Sequence, residues 1–164
     1  MAVTGKIKRK FMAHFINTNK TGTTAAYARL GKDLEEYKIE MNANTEKKSN
    51  ILGETSVNLT TYQPEASVEP YYAEVGDPLF TRLQAIIDER QTLDDLTTDV
   101  VEVHLWDEDS GTPGTCVAYK EDAIIEISSY GGDTTGYQIP FNIHYTGNRV
   151  KGKFVLASKT FTAD

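Results

Sequence analysis

Alternation is the feature that most limits what this chain can fold into. Apolar and polar residues exchange places every second position in run after run, the period of a strand with one wet face. In residues 36–44, Tyr37, Ile39, Met41 and Ala43 fall on one side, and Glu36, Lys38, Glu40 and Asn42 on the other. Residues 56–62 repeat the pattern, with Val57 and Leu59 set against Asn58 and Thr60. Residues 100–106, 115–120, 124–130, 138–145 and 150–157 are strand-like as well. Pro140 inside one of these runs predicts a sheet edge or a strand end, because it has no N–H for a ladder. A Gly147-Asn148 pair predicts a short turn between the last two strands.

Only one stretch has helical period. Asp77 is placed to cap it, and Pro78 suits the first helical position, where its missing N–H is not needed. Leu79, Phe80, Leu83, Ile86 and Ile87 then form an apolar stripe, with Thr81, Arg82, Gln84, Asp88 and Glu89 on the expected wet side. The helix is predicted over residues 78–90, with a turn at residues 92–95. Its stripe needs a sheet to lie on. The predicted fold is therefore mainly β, a β-sandwich or curled barrel with one flanking α-helix. At 164 residues it reads as a single domain, 1–164, able to bury a core without staples.

Between the first two alternating strands lies a long connection, polar except for Ile51 and Leu52. Such an apolar pair either folds back on its own domain or docks on a neighbour. The start of the chain is basic, with Lys6, Lys8, Arg9 and Lys10 around Ile7, and Phe11 and Phe15 follow. It reads as an arm or edge strand, and residues 17–23 as a loop. No run approaches the ~20 apolar residues of a membrane span, and the basic start lacks the apolar stretch of a secretory signal. These patterns predict folding in a cytoplasm and no membrane anchor.

Signals for chemistry are sparse. His14, His104 and His144 have no ligand partner at metal-site spacing, and the latter two are expected on polar strand faces. The acidic turn at residues 107–111 lacks the Gly and Glu that a calcium loop requires at its sixth and twelfth places. Cys116, the lone cysteine, is expected as a small buried residue and excludes an internal disulfide. No phosphate loop, nucleophile elbow or dinucleotide fingerprint occurs. A pair of carboxylates brought together by folding is the one catalytic arrangement that sequence leaves open. The expectation is no enzyme, no metal and no cofactor. A net charge of −7 disfavours wrapping nucleic acid; on charge alone it points to ordinary solubility, although it also suits a channel through which DNA slides without sticking.

An ordered series of segments carries a resemblance. It comprises Tyr27-Ala28-Arg29-Leu30-Gly31-Lys32-Asp33-Leu34, Tyr37-Lys38-Ile39-Glu40-Met41-Asn42-Ala43-Asn44, Asn50-Ile51-Leu52-Gly53-Glu54-Thr55-Ser56 and Ser67-Val68-Glu69-Pro70-Tyr71-Tyr72-Ala73. Asp77-Pro78-Leu79-Phe80 and Leu93-Asp94-Asp95-Leu96 follow, and Arg9-Lys10-Phe11 precedes them. Over residues 7 to 106 this series resembles the tail tube (major tail) proteins of phages and phage-like elements of Gram-positive bacteria.

The resemblance implies a β-sandwich with a flanking helix whose copies close into hexameric rings, stacked as a hollow tube for DNA passage or ejection. It implies a virion tail as the location, assembled in the bacterial cytoplasm. Its partners would be further copies of itself and tape-measure, tail-terminator and distal tail or baseplate proteins, with DNA only as non-specific cargo. The assembly loop would span residues 44–55 (Asn44, Lys47, Lys48, Asn50, Ile51, Leu52, Glu54). The N-terminal arm would span about 1–19 (Lys6, Lys8, Arg9, Lys10, Phe11). The candidate lumen residues are Glu36, Lys38, Glu40, Asn42, Asn58 and Thr60. Two other readings compete: a tube subunit of a contractile or type VI-like injection system, and a monomeric β-sandwich that binds ligand on Tyr62, Tyr71, Tyr72, Tyr130 and Tyr137.

Overall fold

The structure is a computed structural model and describes residues 3–19 and 24–164. Met1, Ala2 and residues 20–23, which belong to the expected arm and first loop, lie outside the described residues.

The fold is mainly β with one helix, as the alternation predicts. Eight strands form one antiparallel sheet: β1 (Met12–Asn17), β2 (Tyr27–Leu30), β3 (Ile39–Glu40), β6 (Glu65–Val68), β7 (Thr97–Glu108), β8 (Thr115–Ile127), β11 (Phe141–Val155) and β12 (Thr160–Ala163). Their order is β2-β1-β7-β8-β11-β6-β3, with β12 on the second half of β11. Two hairpins stand apart: β4 (Asn44–Ser49) with β5 (Thr55–Thr61), and β9 (Gly131–Asp133) with β10 (Gly136–Gln138).

Both faces of the sheet are used, at different places. On one face Ile16, Val100, Ala123, Ile125, Phe141 and Ile143 meet the helix α1 (Pro78–Glu89) through Leu79, Leu83, Ile86 and Ile87. On the other, Ala13, Phe15, Val101, Val103, Ala118 and Phe154 form a second cluster. Tyr27 of β2 touches Phe154 of β11 edge-on at 5.9 Å, although β1, β7 and β8 separate those strands in the sheet. That contact requires the sheet to curl around the second cluster. Gly152 lets β12 lie close against β11, since a Cβ there would collide with the main chain of β12.

Helix α1 begins as predicted. Asp77 Oδ1 accepts from Leu79 N at 3.0 Å, and Asp77 Oδ2 accepts from Tyr71 Oη at 2.6 Å. Asp77→Ala removes both partners and is expected to cost about 1–2 kcal/mol, read as a lowered urea midpoint with an unchanged slope. Arg82 departs from its expected wet position. It is buried and donates to the carbonyls of Asn17 and Thr97 and to Thr98 Oγ1, tying the helix to β1 and β7. Its long stem follows the apolar stripe while its guanidinium finds oxygen acceptors, so position on the helical wheel did not decide its burial.

Four other expectations change. Residues 12–17 are a central strand rather than part of an arm, because β1 pairs β2 on one side and β7 on the other. The strand expected over residues 36–44 is regular only at Ile39–Glu40, with Asn44 opening β4 instead, although Tyr37 is buried between exposed Glu36 and Lys38. The Gly147-Asn148 pair is no hairpin turn. Both residues have positive φ, 110° and 56°, inside a continuous β11 whose register with β8 shifts there, which marks a bulge. Likewise β8 runs unbroken through Glu121 and Asp122.

Candidate functional site

The connection expected over residues 44–55 is the first strand and turn of a hairpin. Asn50 Oδ1 accepts from the N–H groups of Leu52 and Glu54, both at 3.0 Å, and Gly53 takes a φ of 79°, which together close the turn. Every residue from 44 to 61 is exposed. At the tip Ile51 is 103% exposed and Leu52 78%. The choice left open by sequence is thereby decided against folding back on the domain.

Cross-strand register divides the hairpin into two unlike faces. Lys47 lies opposite Val57 and Thr45 opposite Leu59, so the apolar pair shares its face with Lys47. Glu46 lies opposite Asn58 and Lys48 opposite Ser56, so the candidate lumen residues Asn58 and Thr60 share a polar face with Lys48. Among the described residues neither face has a partner sheet.

The remaining candidate lumen residues lie elsewhere. Glu36, Lys38 and Glu40 border a groove of about 400 Å³ with Glu65, Ser67, Glu69 and Asn142. Asn42 sits between the two groups, left-handed at φ 45°, and its side chain donates to the Gln63 carbonyl. The structure therefore places Asn58 and Thr60 on the hairpin, Glu40 on β3, and Glu36, Lys38 and Asn42 in irregular chain beside it. In the arm, Arg9 and Lys10 begin a single 3-10 turn, Arg9–Phe11, and Lys6 and Lys8 are exposed before it. Arg9 donates to the carbonyls of Met12 at 2.5 Å and Tyr37 at 3.0 Å. Of the five tyrosines of a binding platform, Tyr62 stands apart at the hairpin root. Tyr72 bridges Gln138 next to Tyr137, Tyr71 packs on Phe141, Tyr130 accepts from Arg90, and Tyr137 packs on Phe80 and donates to Gln84.

A polar cluster escaped the sequence reading. Register sets His14 opposite Glu102 across β1 and β7, and Glu102 Oε1 lies 2.8 Å from His104 Nε2. Arg149 donates to Glu102 and to Glu121, each at 3.3 Å, and stacks on Tyr119 at 4.6 Å. Tyr37 and Tyr145 share a hydroxyl–hydroxyl hydrogen bond of 2.9 Å. Burial opposes ionisation of Glu102, but His14, His104 and Arg149 outweigh it and hold the carboxyl at about 2. Burial also keeps His14 below the ordinary histidine value, despite Glu102 beside it. The phenol of Tyr37 is pushed up to about 12, again by burial.

This cluster floors a cavity of about 590 Å³ whose walls include Arg9, Met12, Ile39, Met41 and Pro64. Glu102 and Glu121, both bonded to Arg149, are one pair of carboxylates that folding brings together, and Glu65 and Glu126, both on His144, are another. A carboxyl held at about 2 gives no proton at neutral pH, so Glu102 lacks the raised affinity of a general acid. His144 is more exposed and lies between Glu65 and Glu126. Among the described residues no group of three His, Cys, Asp or Glu side chains is placed to hold a metal ion, and no helix is long and apolar enough to cross a membrane. Cys116 is buried, and burial pushes its thiol up.

No family model matches the chain, and no curated protein matches it.

Proposed function

We propose that this chain is the structural subunit of a tube of the phage-tail kind, assembling head to tail into rings that stack around a lumen. The exposed hairpin carries the reading. Eighteen consecutive residues, 44–61, project from the domain with Ile51 and Leu52 at their end. Water does not favour an ordered, isolated two-stranded ribbon, and its stability is marginal without a surface to pack on. A neighbouring copy supplies that surface. The main sheet also ends in two open strands, β2 and β3, whose unpaired edges suit pairing between copies in a ring. A head-to-tail contact closes into a ring or extends along an axis, according to its rotation.

The polar face of the hairpin, with Asn58 and Thr60, and the Glu36, Lys38 and Glu40 side of the domain are assigned to the lumen. An apolar-free wall lets DNA pass as non-specific cargo. Tape-measure, tail-terminator and distal tail or baseplate proteins are the partners expected at the tube ends, within a virion tail.

Electron microscopy of the purified protein tests the reading. Rings or tubes are expected as concentration rises, and their absence across a range of concentration and salt overturns it. The lumen assignment has its own measurement. In a Cys116→Ala background, Glu40→Cys and Asn58→Cys are expected to react with a bulky thiol reagent in monomers and to be protected in tubes. Equal labelling in both states removes those residues from the lumen.

A further inference from the structure

We propose that the Ile51–Leu52 tip of one copy seats in the 590 Å³ cavity of the next copy, between Arg9 and the residues 37–41, above His14. This rests on the tube reading and names the receptor for its hairpin. The cavity falls within the ~300–1,000 Å³ of sites that enclose a ligand, and its walls are apolar at Met12, Ile39, Met41 and Pro64. Its floor holds an unmet polar atom. His14 is 4% exposed, its Nε2 has no hydrogen-bond partner, and the nearest Glu102 oxygen lies 3.7 Å away, too far for one. That nitrogen is sealed from solvent, so the incoming apolar pair packs over it and against the walls.

Charge agrees with this seating. Arg9, at the mouth, bonds only to main-chain carbonyls, and no carboxylate among the described residues pairs with it. Glu54, beside the tip, has the Asn50 amide as its side-chain partner and no cation. Docking brings these two unmatched charges together. The tip cannot serve its own cavity. Met41 lies at the hairpin root, and a six-residue strand carries the tip roughly 20 Å away from it. The contact is heterologous, and each copy has one tip and one receptor, so it repeats along the assembly.

Cross-linking between two differently tagged chains tests the assignment, both in a Cys116→Ala background. One carries Leu52→Cys and the other Met41→Cys, at positions 78% and 49% exposed that tolerate the change in the monomer. Mixed under assembly conditions with a mild oxidant, they are expected to give the mixed disulfide on the order of 100-fold faster than Leu52→Cys with Val75→Cys. Held thiols react at millimolar effective concentration, free ones at the micromolar bulk. Tubes that form without cross-linking above that control overturn the receptor and leave the tube reading intact. Absence of any assembly by either mixture, or by the parent, overturns both.

Discussion

Ile51→Asp combined with Leu52→Asp is expected to abolish stacking and leave the monomer folded. The two side chains make no appreciable contact within their own domain, at 103% and 78% exposure. Substitutions at such positions change stability by about 0.5 kcal/mol or less. In an assembled contact the same pair is removed from water, a gain of about 1.5–3 kcal/mol for each side chain. Aspartate forfeits that gain and adds the desolvation of two charges. A loss of roughly 3–6 kcal/mol at every contact weakens each by about 100- to 10,000-fold. The double variant is therefore expected to remain monomeric at concentrations where the parent polymerises, with superimposable circular dichroism melts. Ile51→Val with Leu52→Met, which keeps the tip apolar, is expected to assemble. Normal tube growth by the aspartate variant removes the tip from the interface.

The parts of this molecule that could be read from its sequence are those with local causes. Asp77, Pro78 and the stripe from Leu79 to Ile87 specify a helix within one segment, and α1 occupies Pro78–Glu89. The hairpin was half legible. Alternation at Val57 and Leu59 gave β5, but β4 contains no large apolar residue and reads as a polar loop. A strand made only of polar residues leaves no period-2 signature, whereas β5, equally exposed, keeps one through Val57 and Leu59. The bulge at Gly147 and Asn148 was misread for a related reason. Left-handed residues serve a tight turn and a bulge equally, and only the partner strand distinguishes them. The polar cluster was not legible at all. His14, Glu102 and Arg149 are far apart in sequence and meet through the registers of β1 with β7 and of β8 with β11. The one available signal, charged residues inside strand-like runs, has the same form as an ordinary wet face.

That cluster predicts an acid-labile fold, with Glu102→Gln the variant of largest effect. Glu102 is held at about 2 in the folded chain against an ordinary 4.5, which corresponds to on the order of 3 kcal/mol of stability at neutral pH. Because the folded value is the lower one, this stability is complete above 4.5 and is lost as pH falls toward 2. His14 acts in the same direction at higher pH. Burial holds it below 6.5, so the unfolded chain takes up a proton first as pH drops through 6.5. Its contribution is present above 6.5 and declines below. Arg9, His104, Glu121, Arg149 and the phenols of Tyr37 and Tyr145 surround the pair. Glu102→Gln leaves Arg149 with Glu121 alone and gives His104 a weaker partner. At pH 7 its melting temperature is expected to fall by roughly 6–12 °C, the shift that ~3 kcal/mol produces in a domain of this size. Below pH 4 the difference from the parent is expected to shrink, because the parent loses there what the variant has already lost. Melts at pH 7.5, 5.5, 4 and 3 measure both effects, and a gap between parent and variant that stays constant across that range excludes Glu102 as the acid-sensitive group.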